Sequence, residues 1–165
     1  MGKPILEFGV AGEKQIRRGL SRFGDQVKDL SEPFREIVKA FHEGMGKQFE
    51  TQGAYGSGGW QALSPDYAAR KAVEYPSAGI LVRSGLLSES LTGRNPWAIE
   101  NVEPLRLEVG TKIPYGLYHQ KGTSRMPARR LIDLTEEQKR EWMRIIQRYL
   151  VRQMRESFPE REMTT

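Results

Sequence analysis

The chain has 165 residues, with 26 Lys and Arg against 21 Asp and Glu, 38% hydrophobic residues and no cysteine. That length supports one core, so a single domain spanning residues 1–165 is expected. Disulfides, thiolate catalysis and sulfur-bound zinc are excluded by composition. The longest apolar run, around Ile80-Leu81-Val82, falls far short of the roughly 20 residues of a membrane-spanning helix.

Met1-Gly2-Lys3-Pro4 leads into Ile5-Leu6-Glu7-Phe8 without the apolar segment of a secretory signal, so synthesis and use in a cytoplasm are expected. The two histidines, His42 and His119, stand in no HExxH or HxH arrangement, so no metal is expected. The chain also lacks a GxxxxGK[ST] loop, a GxGxxG turn and a GxSxG elbow. No cofactor is therefore expected, and a binding or structural module is a better reading than an enzyme.

Residues 4–10 alternate loosely, with Leu6, Phe8 and Val10 on one side, and read as a short strand or extended arm. From Glu13 the period changes. Ile16, Leu20, Phe23, Val27 and Leu30 step by three and four, which makes one stripe on a helix. Ser31-Glu32-Pro33 reads as the capped start of a second helix, with Phe34, Ile37, Val38, Phe41, Met45 and Phe49 on its apolar face and His42 at the edge. Both helices are expected to lie against a sheet or each other.

Gly53, Gly56, Gly58 and Gly59, with Tyr55 among them, make a stretch too poor in side chains to form a packed element. A flexible loop over 53–59 is expected, able to order against a neighbouring subunit. Ser64 caps and Pro65 opens a short helix through Tyr67, Ala68 and Lys71, and the Ser84-Gly85 turn can start another. Trp97 to Val102 and Leu105 to Val109 alternate as strands around a Glu103-Pro104 turn. Residues 113–118 are expected to add edge or loop structure, with His119 to Gly122 on a loop. Thr135 and Gln138 form a capping box for a last helix from Glu136 to about Ser157, followed by a frayed tail over 158–165. The class is α+β: a small antiparallel sheet packed against two N-terminal amphipathic helices and a long C-terminal helix.

All of the excess charge lies in one segment. Residues 121–155 hold ten basic and four acidic residues, a local +6, leaving 16 basic and 17 acidic elsewhere. On the last helix Arg140, Arg144, Arg148, Arg152 and Arg155 share one arc, opposite Trp142, Ile145, Ile146, Tyr149 and Leu150. Glu136 and Glu141 are placed to pair with Arg140 and Arg144, whereas Arg148, Arg152 and Arg155 have no carboxylate three or four residues before them. Three readings of this face stay open: a solvated surface, a contact for an acidic partner, or a sequence-independent contact with DNA.

Several stretches together carry a family likeness. They are Trp60-Gln-Ala-Leu-Ser-Pro-Asp-Tyr-Ala-Ala-Arg-Lys71, Ile80-Leu-Val-Arg-Ser-Gly-Leu-Leu-Ser-Glu-Ser90, Val109-Gly-Thr111, Tyr115, His119-Gln-Lys-Gly122 and Met126-Pro-Ala-Arg129 with Leu131. In this order and spacing the chain, from about Glu13 to Leu150, resembles the virion morphogenesis or tail completion proteins of tailed bacteriophages. It departs from their pattern at Ser84, where Thr is commoner, and at Arg130, where proline often follows the arginine.

The resemblance implies a non-enzymatic subunit of the virion neck or tail end, made in the host cytoplasm. It implies a homo-oligomeric ring, expected to be hexameric, with other neck, connector and tail tube proteins as partners and no membrane. The candidate interface residues are His119, Gln120, Lys121, Arg125, Arg129 and Arg130, joined by Arg148, Arg152 and Arg155. Pro127 and Ala128 are expected to hold a turn that aims Arg129 outward, while Trp60, Leu63, Leu81 and Leu86 are read as structural. A basic DNA-binding accessory protein is the alternative.

Overall fold

In the computed structural model, residues 13–56 and 58–158 are described. The expected arm at 4–10 and all of the expected tail except Phe158 lie outside them. Among the described residues there are six helices and one hairpin: α1 (Glu13–Val27), α2 (Ser31–Glu50), α3 (Pro65–Glu74), α4 (Leu86–Leu91), β1 (Ala98–Glu103), β2 (Arg106–Thr111), α5 (Gly116–Lys121) and α6 (Glu136–Ser157), with α2 and α4 packed against the strands. The class is α+β, as expected. The two strands are antiparallel with Ala98 opposite Thr111 and Glu103 opposite Arg106, so the turn falls at Pro104-Leu105, one residue later than the sequence pattern places it.

The apolar stripe of α2 organises the core. Phe34, Ile37, Val38, Phe41, Met45 and Phe49 are all buried, each burial being worth about 1.5–3 kcal/mol. Its C-terminal half packs with Trp60, Leu87, Leu91, Ile113 and Leu131. The N-terminal half packs with Ile145 of α6, and Val102 and Leu107 of the hairpin close over this second cluster. Trp142 touches both clusters. α1 lies along α6, and the ring of Phe158, just beyond α6, sits against Gly19 of α1.

Local chemistry sets the helix ends. Thr135 Oγ1 accepts from the Gln138 amide and Gln138 Oε1 from the Thr135 amide, at 3.2 and 2.8 Å, which completes the expected capping box. At α2 the expected cap differs. Leu30 is the cap residue and Ser31 is already helical, its amide donating to Asp29 Oδ1 at 2.8 Å. The Leu30 amide donates to Pro104 O at 2.7 Å, tying the α1–α2 junction to the hairpin turn.

One expected loop is corrected. Residues 116–121 form α5, because Pro114 and Tyr115 start a turn that continues through His119 and closes at Gly122. The glycine-rich stretch meets the core at its first residue, while Gly58 and Gly59 are exposed. Gly53 is buried at φ 89°, and a Cβ there would lie 2.5–2.7 Å from the Trp60 indole. Glycine alone meets both demands.

Candidate functional site

A cavity of about 1070 Å³ is bounded by α3, by the segment from Leu81 to Leu87, by α5 and by residues 125–129. α3 is exposed along most of its length, with Val73 84% and Tyr67 43% accessible, and only Lys71 is buried. The segment 81–87 is held by Leu81 in the left-handed region at φ 63°, a conformation that costs a non-glycine residue about 1–3 kcal/mol. Leu81, Val82, Leu86 and Leu87 present an apolar wall, which Leu63 extends.

Opposite chemistry lies beside that wall. Lys71 Nζ donates to Gly79 O at 2.5 Å. Arg129 Nε donates to Gln61 O at 2.7 Å and Nη2 to Ala62 O at 3.0 Å. These two side chains are only 6% and 5% exposed. Burial lowers the pKa of Lys71, and the neighbouring Arg129 lowers it further. His119 is lowered in the same way, first by burial and then by Arg129. Its Nδ1 is buried without a hydrogen-bond partner among the described residues, and its ring stands edge-on to Tyr115 at 6.1 Å.

Arg129 therefore does not point outward. The chain doubles back at Gly122 (φ 74°), where a Cβ would lie 2.7 Å from the Ala128 amide nitrogen. The Arg129 amide then donates to His119 O at 2.7 Å, which turns the guanidinium under the Gln61-Ala62 strand of backbone. Close backbone approach at Gly122 accompanies this inward aim.

The other predicted residues have separate fates. Gln120 straps α5 to the following segment: its Oε1 accepts from Leu131 and Ile132 amides at 2.8 and 3.0 Å, and its Nε2 donates to Ile132 O at 2.9 Å. Lys121 is exposed at the end of α5, and Arg125 is an exposed part of the cavity lining. Arg130 is exposed, 4.0 Å from Asp133, while its carbonyl accepts from Trp60 Nε1 at 2.8 Å and Gln48 Nε2 at 3.3 Å. Trp60 is in the core, as read. Leu81 packs against the core while lining the cavity, and Leu63 and Leu86 also line it.

The basic face of α6 is partly consumed within the chain. Arg148 pairs with Glu36 at 2.6 Å and lies 3.6 Å from Glu141, and Arg152 pairs with Glu32. The carboxylates that local spacing fails to supply come from α2. Arg155 is exposed and has no ion pair among the described residues.

In the glycine-rich stretch, the Gly56 amide donates to Gln48 Oε1 at 2.8 Å and the Gly59 amide to Gly53 O at 3.2 Å. Tyr55 is half-buried with Lys47 over its ring at 5.5 Å, and Gly58 has open space around it.

Sequence reasoning missed Lys71, Arg83 and Gln48. Lys71 closes the first stretch of the family likeness, but its spacing on α3 is that of any solvated lysine. Arg83 stacks 5.0 Å from the Tyr75 ring and donates to its hydroxyl at 2.8 Å, a contact across eight residues that no helical or strand period encodes. Among the described residues no group of histidine and acidic side chains is placed to hold a metal ion, and no helix is long and apolar enough to cross a membrane.

The sequence profile of the phage virion morphogenesis family matches residues 12–151. No curated protein and no solved structure matches the chain.

Proposed function

The chain belongs to the phage virion morphogenesis family, and on that premise we propose that it is a non-enzymatic subunit of the neck or tail completion region. It joins tail to head as part of a closed homo-oligomeric ring, most simply six-fold, and its partners are the connector, tail tube and other neck proteins. The family is one of virion assembly, so the chain acts in building the particle.

One observation on the described surface supports an assembling subunit over a solitary one. Large apolar side chains are left exposed in groups: Leu117 and Tyr118 on α5 are 54% and 57% accessible, and Met143, Val151 and Met154 on α6 are 55%, 44% and 46% accessible. The three on α6 recur at helical spacing and so share one face. Neighbouring copies or partner proteins would cover such faces, at interfaces of the partly apolar kind that close symmetric rings.

The exposed cations Lys121, Arg125 and Arg155 are left to meet acidic partner surfaces or the passing genome, the latter through weak contact that ignores base sequence. A DNA-binding accessory role draws less support, because Arg148 and Arg152 already pair with Glu36 and Glu32.

Electron microscopy of particles carrying a tagged copy tests the reading. The label is expected at the head–tail junction with ring symmetry. A label spread over the capsid, or a stable dimer persisting in virions, would overturn it.

A further inference from the structure

Lys71 and Arg129 bring two nearly inaccessible cations to one cavity wall, and among the described residues both are answered by carbonyl oxygens. No aspartate or glutamate lines this cavity, and among the described residues neither cation has an ion pair. Carbonyl dipoles return part of the cost of desolvating a cation, but the mutual repulsion of two neighbouring cations remains. Arg83 and Arg125 add two exposed cations to the same lining. The buried, unpartnered Nδ1 of His119 adds a polar atom that the fold itself does not use. The wall is electrostatically incomplete without an anion.

The rest of the lining says which kind of anion. Leu63, Leu81, Val82, Leu86 and Leu87 offer a surface for aliphatic or aromatic side chains. The volume, about 1070 Å³, is at the upper end of the roughly 300–1,000 Å³ that accommodates a drug-sized ligand, and so suits a segment of a few residues. A nucleic acid strand would set polar sugars against the leucine wall.

We propose that this cavity is a receptor for a peptide segment of a neighbouring virion subunit, one that carries a carboxylate between apolar side chains. The carboxylate faces Arg129 and Lys71, and the flanking side chains cover Leu81, Val82 and Leu86. The proposal rests on the reading of the chain as an assembling subunit, and it deepens that reading by naming a contact.

The test uses the full chain and nuclear magnetic resonance of the two histidine rings and the leucine methyls. The probes are the acetylated, amidated tripeptides Leu-Glu-Phe and Leu-Asp-Leu, their Gln and Asn counterparts, and an oligothymidylate. The acidic peptides are expected to shift His119, Leu86 and Leu87 saturably and to leave His42 unchanged. The amide counterparts are expected to bind about tenfold more weakly or worse, a difference of about 1.4 kcal/mol.

Arg83→Gln with Arg125→Gln, both at exposed positions, should weaken the acidic peptides while the amide spectrum stays that of the folded chain. Absence of saturable shifts at millimolar peptide, or equal binding of acidic and amide peptides, overturns the proposal. Tighter binding of the oligothymidylate at the same signals also overturns it, in favour of a nucleic acid site. Failure of peptide binding leaves the particle label at the junction untouched, whereas a misplaced label leaves the peptide titration untouched, so the two ideas fail separately.

Discussion

Arg152 on α6 pairs with Glu32 in the first turn of α2, 120 residues earlier. The same guanidinium lies 5.5 Å from the Tyr149 ring, and Tyr149 Oη donates to Asp29 O at 3.0 Å. One turn along, Arg148 reaches Glu36. The basic face thus clamps the last helix to the second, outside the apolar contact of Ile145 with Phe34 and Ile37. All four charged side chains are more than half exposed, so solvent screens them and the clamp is weak.

Charge exchange separates a clamp from a mere surface pattern. Glu32→Arg alone and Arg152→Glu alone should each lower the urea midpoint slightly, and the double exchange should recover most of the loss. The coupling should fade as salt rises. Additive losses in the cycle at low salt would show that the pair contributes nothing.

Gly53 lies at φ 89°, with the Trp60 indole where a Cβ would stand. Gly53→Ala should therefore cost about 1–3 kcal/mol from backbone strain alone, and more from displacement of the indole. Gly46, inside α2 with nothing within 4 Å of its would-be Cβ, is the matched control. Gly46→Ala should stabilise by about 0.5–1 kcal/mol. Chemical denaturation of the two variants checks both signs.

Trp60 carries an indole donor as well as apolar area. Its Nε1 donates to Arg130 O at 2.8 Å, and Gln48 Nε2 reaches the same carbonyl at 3.3 Å. Trp60→Phe should cost about 1 kcal/mol for the lost bond, since the carbonyl keeps its second donor, besides the smaller ring. Leu91→Ala, at a fully buried position, should cost about 2–5 kcal/mol. Thermal unfolding monitored by circular dichroism ranks the pair, and a Trp60→Phe loss as large as that of Leu91→Ala would contradict the shared-carbonyl account.

His119 gives stability a pH dependence. Burial, and then Arg129, holds its folded-state pKa below the ordinary 6.5, so the unfolded chain binds the proton more readily. The contribution is fully present above pH 6.5 and is lost as pH falls from there through the lowered folded value. His119→Gln should flatten this part of the stability curve. Urea midpoints of the two proteins between about pH 7 and pH 5 provide the comparison. Parallel curves would show that the ring titrates alike in both states.

Helix periodicity and the cap of α6 were legible because the governing contacts are close in sequence, whereas the cap of α2, at Leu30, and the short helix α5 were not. The stripe from Phe34 to Phe49 predicts the buried face of α2, the Thr135–Gln138 box predicts the start of α6, and alternation predicts the hairpin to within a residue. The candidate site was legible only in part. His119, Arg125 and Arg129 were singled out and do line one cavity, but Lys71 and Arg83 were not. Arg140 to Arg155 drew attention by charge density, yet Arg148 and Arg152 are engaged inside the chain.

By itself the sequence determined the α+β class, the helical stripes, the last helix's cap and the family likeness, because each depends on side chains a few residues apart. Tertiary structure alone decided that Arg129 turns inward beneath Gln61 and Ala62, 68 and 67 residues away. It also decided that Lys71 is buried on an otherwise exposed helix, and that Glu32 and Glu36 answer the arginines of α6. Those outcomes follow from where packing of the α2 stripe sets distant backbone and charge. Charge and burial at such positions depend on neighbours that no local spacing specifies.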